Sequence, residues 1–245
     1  QNAFKAFYNS VMARGDAVIA NSRYTAELIR KRYPAASGKI TIIHRGSDLT
    51  ALDPNAVTPE RRQALRKAWD LSDGRPVVLN LARVTAWKGQ RVLIDAMAEL
   101  AAGGDTETTA ILAGDAQGRE AYLADLKARI AGHGLTDRVF LVGHCADVPA
   151  ALSLADVSVV ASIEPEAFGR AAVEAQAAHV PVIVSDLGAV PETVLAPPEV
   201  NDDNRTGWRV PPGDAGALAK ALHHALNMPG TEKPWPTALA PPLLE

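Results

Sequence analysis

Glu166 and Glu174 stand eight residues apart in the segment 162–177, SIEPEAFGRAAVEAQA. An apolar run at 157–161 precedes the segment and helical spacing follows it, so it reads as strand, loop and helix. Gly169 lets the backbone come close to a ligand at the turn. The amides of Arg170, Ala171 and Ala172 open the helix without intrahelical partners, and such an end attracts an anion. Glu166 lies in the loop and Glu174 further along the helix, both able to accept bonds from hydroxyls. An anion cradle flanked by carboxylates suits a phosphorylated sugar. The plainer reading is a strand-to-helix turn, with Glu174 in a surface pair with Arg170 worth a few tenths of a kcal/mol. Glu164 is a competing carboxylate two residues before Glu166.

A second cluster is LARVTAWKG at 81–89, at the carboxyl end of a predicted strand, where open α/β sheets bind ligands. Arg83 can fork onto a phosphate with two bonds and Lys88 adds a compact charge. The competing reading is a solvated basic loop. Gly114 ends the next strand, in AGDA, and Gly143 and His144 end the one after; both loops should line the same cleft. A lone histidine such as His144 is more often a loop residue than a catalyst. The six histidines are scattered without ligand spacing and Asp202-Asp203 reads as solvated turn, so no metal site is expected.

These motifs resemble family 4 retaining glycosyltransferases, which have the two-domain GT-B fold and an E-x7-E segment. Pro165, Phe168, Gly169 and the helix of small residues match that segment, and LARVTAWKG matches the family's Arg and Lys spacing. Two departures are Ala167, where the family usually has Gly, and Arg170, where it has an apolar residue. The spacing selects Glu166 over Glu164. The resemblance implies that Glu174 accepts bonds from the nucleotide's ribose and that Glu166 faces the transferred sugar. Ala167 and the amides of Phe168 and Gly169 would lie near the sugar and phosphates, and Gly114, Gly143 and His144 near the nucleotide. Arg83 and Lys88 would stabilise the departing diphosphate without a metal or other cofactor. The implied substrate is a nucleoside-diphosphate sugar such as a UDP- or GDP-sugar, transferred with retention to an acceptor hydroxyl. EPEAFGRAAVEAQ with SDLGAVPETVLAPPEV is most similar to bacterial members that build lipopolysaccharide or other surface glycans. Two rivals are a module that holds a nucleotide sugar without turnover and a nucleotide-sugar 2-epimerase. The epimerase would need further acid/base carboxylates and a cleft histidine, which the sequence does not place.

The whole chain constrains these readings. Its 245 residues, 47% hydrophobic, can bury one large core or two small ones. A net charge of -3 gives no basic stripe for nucleic acid. A single cysteine, Cys145, excludes a disulfide framework and suits a reducing compartment. No apolar run reaches the length of about eighteen residues needed for a membrane span. There is no G-x-S-x-G elbow, no G-x-G-x-x-G fingerprint and no P-loop. The chain opens at Gln1, and the expectation is a soluble, cytoplasmic fragment or processed product. Contact with the inner membrane face, or with a glycan or lipid-linked acceptor, would run through a domain outside it.

The elements that must position the motifs follow from periodicity. Helix is expected at 1–14, with Phe4, Phe7, Tyr8 and Val11 on one face, then a short buried strand at 16–20. Asn21 or Ser22 caps a helix ended by Pro34, and 39–44 is a strand. After a polar loop, helix is expected at 59–69. Strands at 77–81, 108–113, 139–142, 157–161 and 182–184 alternate with helices at 89–102, 119–132, 147–154, from 169, and at 189–195. A strand at 208–210 and a helix at 214–226 finish the series. This is an α/β chain with a doubly wound, Rossmann-like parallel sheet covered on both faces. By the resemblance, 1–46 is the end of an acceptor domain and the crossing, and 47–228 the nucleotide-sugar domain. The prolines of 229–245 predict an extended tail.

Overall fold

A computed structural model describes residues 3–72 and 74–228; the expected proline-rich tail at 229–245 lies outside them. The chain opens with helix α1 (Ala3–Met12), strand β1 (Val18–Ala20), helix α2 (Arg23–Arg32) and strand β2 (Ile40–Ile42). β1 and β2 pair in parallel as a two-stranded sheet, Val18 opposite Ile40. Short α3 (Leu49–Leu52) and α4 (Pro59–Ala68) lead into the alternating part. There β3 (Val77–Leu81), α5 (Gln90–Ala102), β4 (Thr109–Ala113), α6 (Glu120–Gly132), β5 (Val139–Gly143) and α7 (Val148–Ser153) follow in order. The chain continues through β6 (Val157–Val160), α8 (Arg170–Ala177), β7 (Val182–Ser185), β8 (Trp208–Val210) and α9 (Ala215–Asn227).

The six later strands form one parallel sheet in the order β5-β4-β3-β6-β7-β8. Alternate side chains serve opposite faces, as the period of two demands. Val77, Leu79, Ile111, Val182 and Val184 pack with residues of α7 and α8, while Val78, Ala110, Leu112, Val159 and Ile183 pack with α5, α6 and α9. Both faces are therefore covered, which is why these strands are nearly all apolar. The strand order reverses between β3 and β6, so the loops leaving those two strands face each other across a crevice.

Helix starts beside the crevice differ from several of the others. Ser22, Thr58, Asp147 and Asp214 each accept a first-turn amide of α2, α4, α7 and α9. α5 and α8, which start beside the crevice, begin instead at left-handed glycines, Gly89 (φ 70°) and Gly169 (φ 89°), with no side-chain cap. Gly89 also meets β6 directly: a Cβ there would sit 1.8 Å from the Ala161 carbonyl oxygen. At the opposite end of the sheet, Arg138 is 7% exposed and bonds to the Asp105 carboxylate at 2.9 Å, tying the start of β4 to that of β5. Burial pushes the Asp105 carboxyl up, but hydrogen bonds from Thr108 and the charge of Arg138 outweigh it and leave the group below its ordinary value.

Three expectations change. The strand at 16–20 is half-buried rather than buried: Val18 and Ala20 are covered and Ile19 is 67% exposed. The helix at 189–195 is one 3-10 turn, Val190–Glu192. The Thr193 hydroxyl bonds back to the Val190 carbonyl and the Leu195 amide is taken by the Thr206 hydroxyl, so the backbone leaves the helical path. Polar loop 49–58 also holds the turn of α3, capped by Asp48 with Leu52 buried.

Two outcomes test this account. Gly89→Ala should cost about 3 kcal/mol or more in a denaturant titration, because a backbone clash adds to left-handed strain. Gly118→Ala, with φ 78° but nothing within 4 Å of the added carbon, should cost only about 1–2 kcal/mol. Asp105→Asn should destabilise the protein at neutral pH by about 1–3 kcal/mol. The folded Asp105 carboxyl lies below its unfolded value, so its stabilisation is present above that value and lost as pH falls through the folded one. The gap between variant and wild type should therefore narrow on acidification below about pH 4.

Candidate functional site

Lys88 and Glu166 lie 78 residues apart in the chain and form an ion pair across the crevice, Lys88 Nζ on Glu166 Oε1. The Lys88 and Glu166 side chains are 16% and 12% exposed, so the pair is largely out of water. Two further contacts fix it. The Ser162 hydroxyl donates to Glu166 Oε1 at 2.6 Å, and the Lys88 ammonium sits 4.2 Å from the centre of the Trp87 ring. The backbones are tied as well, the Ile163 amide donating to the Trp87 carbonyl at 2.8 Å. Removing one member of such a pair leaves a poorly solvated charge, a loss of about 3 kcal/mol or more.

Arg83, in the loop after β3, is exposed and makes no side-chain bond among the described residues. Its backbone is nonetheless rigid. Buried Gln90 donates to the Arg83 carbonyl at 2.9 Å, and the Val84 amide donates to the Asp115 carbonyl at 3.0 Å. The guanidinium is thus unpaired on a fixed backbone. Gly114 abuts this loop so closely that a Cβ would meet the Ala82 carbonyl oxygen at 1.8 Å. Gly114, Gly143 and His144 line one cavity of about 250 Å³, with Val84, Leu112 and Leu141 among its apolar walls and Asp115 and Lys127 among its polar ones. The sequence placed all three glycine and histidine positions in one cleft, and they share one.

Around α8 the picture is mixed. Phe168 is buried, with its ring 6.3 Å from that of His44, while Ala167 is exposed. Glu174 bonds to Arg170 at 2.6 Å, the i,i+4 pair that the plainer reading proposed. Arg170 is 58% exposed, so this pair is worth only a few tenths of a kcal/mol and yields easily to another partner. Glu164 is exposed and takes no part in the Lys88 contact. Among the described residues, no three or more His, Cys, Asp or Glu side chains group closely enough to hold a metal ion. None of the described helices is long and apolar enough to cross a membrane.

Sequence reasoning missed the contacts that brace the Glu166 loop. Gly188 packs on its backbone, where a Cβ would lie 2.5 Å from the Glu166 carbonyl oxygen, and the Ala189 amide donates to that oxygen at 3.0 Å. Ser22 and Thr25 donate to the Ala167 carbonyl at 2.7 and 3.2 Å. The Glu192 carboxylate accepts the Arg23 and Tyr24 amides, each at 2.7 Å. The local signals near these contacts were Ser22, named as a candidate cap, and a glycine soon after a strand, Gly188.

Comparison with known proteins identifies the family. Residues 61–236 match the family model described as Glycosyl transferases group 1, and residues 1–51 that described as Glycosyltransferase Family 4. A D-inositol 3-phosphate glycosyltransferase of Jonesia denitrificans is 32% identical over 189 residues, 75% of this chain and 44% of the relative. The lipopolysaccharide core biosynthesis mannosyltransferase LpsB of Rhizobium meliloti is 32% identical over 212 residues, 86% of this chain and 55% of the relative. The chain spans about half the length of these relatives. Among solved structures, Anabaena Alr3699/HepE in complex with UDP-glucose superposes with a TM-score of 0.79 at 28% identity, over 96% of this chain and 60% of that one. The chain belongs to the group 1 glycosyl transferases and carries the Rossmann-like parallel α/β fold of GT-B glycosyltransferases.

Proposed function

We propose that this chain is the donor-binding part of a retaining glycosyltransferase that moves a sugar from a nucleoside diphosphate to an acceptor hydroxyl. The observation that carries the reading is the Lys88–Glu166 pair, assembled at the strand-order reversal beside the uncapped start of α8. In this reading residues 1–46 end the acceptor half, 47–228 form the donor domain, and the active site is completed by residues upstream. The pathway is bacterial lipopolysaccharide or surface-glycan synthesis, to which the likeness to LpsB adds support. The complex of HepE with UDP-glucose supports a nucleotide-sugar donor.

The residues divide the work as follows. The nucleotide enters the cavity beside Gly114, Gly143 and His144, and Glu174 exchanges its weak bond to Arg170 for the ribose hydroxyls. The diphosphate lies at the first amides of α8, within reach of Arg83 and Lys88. As the bond between anomeric carbon and phosphate oxygen breaks, negative charge grows on the diphosphate and positive charge on the sugar. Lys88 then serves both the Glu166 carboxylate and the phosphate, while Arg83 adds a second cation and the helix dipole a third favourable field. Glu166 faces the anomeric carbon as its charge develops. No metal ion is needed for this balance.

Calorimetry with UDP, GDP and ADP in the presence of a chelator should show binding of at least one nucleotide to folded protein. Binding only after a divalent cation is restored would refute the metal-free reading. In kinetics on the full-length enzyme, Glu174→Gln should raise KM for the donor about tenfold with kcat little changed, since ribose is bound equally in ground and transition states. Glu166→Gln should lower kcat about a hundredfold with a smaller change in KM. The reverse pattern would show the two roles to be assigned wrongly, and unchanged constants in both variants would leave these glutamates as structural residues beside a turn.

A further inference from the structure

Glu192 stands on the 3-10 turn after β7, was assigned no role by the sequence, and joins two distant parts of the chain. Its side chain is 14% exposed, and its two oxygens accept the Arg23 and Tyr24 amides, the first two of α2. The third amide, of Thr25, bonds to Ser22 Oγ at 3.0 Å. Orphan amides at a helix start are normally capped from within the same segment. Here two of them are met by a carboxylate 168 and 169 residues away, and a negative charge at a helix N-terminus strengthens both bonds.

What α2 does once held is to grip the loop that carries Glu166. Ser22 and Thr25 both donate to the Ala167 carbonyl, one residue after Glu166. On the other side, the Ala189 amide bonds to the Glu166 carbonyl from the same turn that carries Glu192. His44, at the exit of β2, adds a third contact, its Nε2 lying 3.7 Å from Glu192 Oε2 and its ring beside Phe168. The Glu166 loop is therefore clasped between α2 and the 188–192 turn, and Glu192 closes the clasp.

We propose that Glu192 is a positioning residue: by capping α2 it fixes the Glu166–Phe168 loop, so the carboxylate meets the donor sugar only while the upstream segment is docked. The role in turnover rests on the transferase reading above; the clasp itself does not. Glu192→Gln turns an amide NH₂ toward one of the two backbone amides, donor against donor, at nearly constant volume. Ser22→Ala removes one of the two side-chain bonds to the Ala167 carbonyl together with the cap on the Thr25 amide. Both variants of the full-length protein should be compared with wild type for UDP and GDP affinity, for hydrolysis of UDP-glucose and GDP-mannose, and for hydrogen exchange at the Ile163 and Ala189 amides. Each variant should lower kcat about tenfold or more while nucleotide affinity stays within about threefold, because misplacing a reacting group harms the transition state most. Exchange at the two amides should quicken. An unchanged kcat would overturn the proposal, and so would a parallel fall of kcat and nucleotide affinity with the thermal midpoint. If wild type turns over neither donor, the transferase reading fails for those sugars. Exchange then decides the clasp alone, quickened amides supporting it and unchanged ones refuting it.

Discussion

The reversal of strand order between β3 and β6 is the constraint on which the site depends. On either side of that point the connections leave in opposite directions, so two strand-to-helix loops are left facing each other with no helix between them. The sequence then fills the gap with an ion pair, Lys88 from one loop and Glu166 from the other. Neither charge has enough water to be stable alone, and the pair ties the two loops together. Each supplies what the other lacks.

Close backbone contact makes the arrangement stiff. Gly89 lies on the Ala161 carbonyl, Gly114 on that of Ala82, and Gly188 on the backbone of Glu166. At each point any side chain would push apart two segments that bear site residues. These glycines lower helix and strand propensity locally, and they expose backbone that a larger residue would cover. The return is a crevice whose walls are main chain, with amides available at the starts of α5 and α8. α2, α4, α7 and α9 are instead closed by side-chain caps.

How much of this was legible in the sequence follows from the range of each interaction. The six central strands stood out because burial on both faces makes them short apolar runs, and their boundaries were read to within a residue or so. Lys88, Glu166 and Gly169 were singled out through spacing, which is local, while the pairing of Lys88 with Glu166 was not foreseen. The turn at 190–192 was misread because AVPETVLA has apolar residues at helical intervals, while two threonine hydroxyls divert its backbone. Ile19 was expected to be buried because burial of a strand depends on what lies beside it, which the strand's own residues do not record. The bonds of Glu192 to Arg23 and Tyr24 and of Ser22 to Ala167 span some 145 to 169 residues and leave no pattern in either segment.

The charges around the crevice are graded by how firmly each is already engaged. Lys88 and Glu166 are nearly buried and matched, with Ser162 and Trp87 supporting them. Glu174 is matched by an exposed arginine that any hydroxyl-rich ligand could replace at small cost. Arg83 is unmatched and exposed on a rigid backbone. An anion would therefore meet the free guanidinium first, since the Lys88 ammonium is already engaged by Glu166. The pair is also the place where desolvation makes each charge act most strongly. Arg83 is thus the open charge at the rim and the Lys88–Glu166 pair the engaged one at the centre, while Glu174, itself only 18% exposed, differs from the pair by the weakness of its partner.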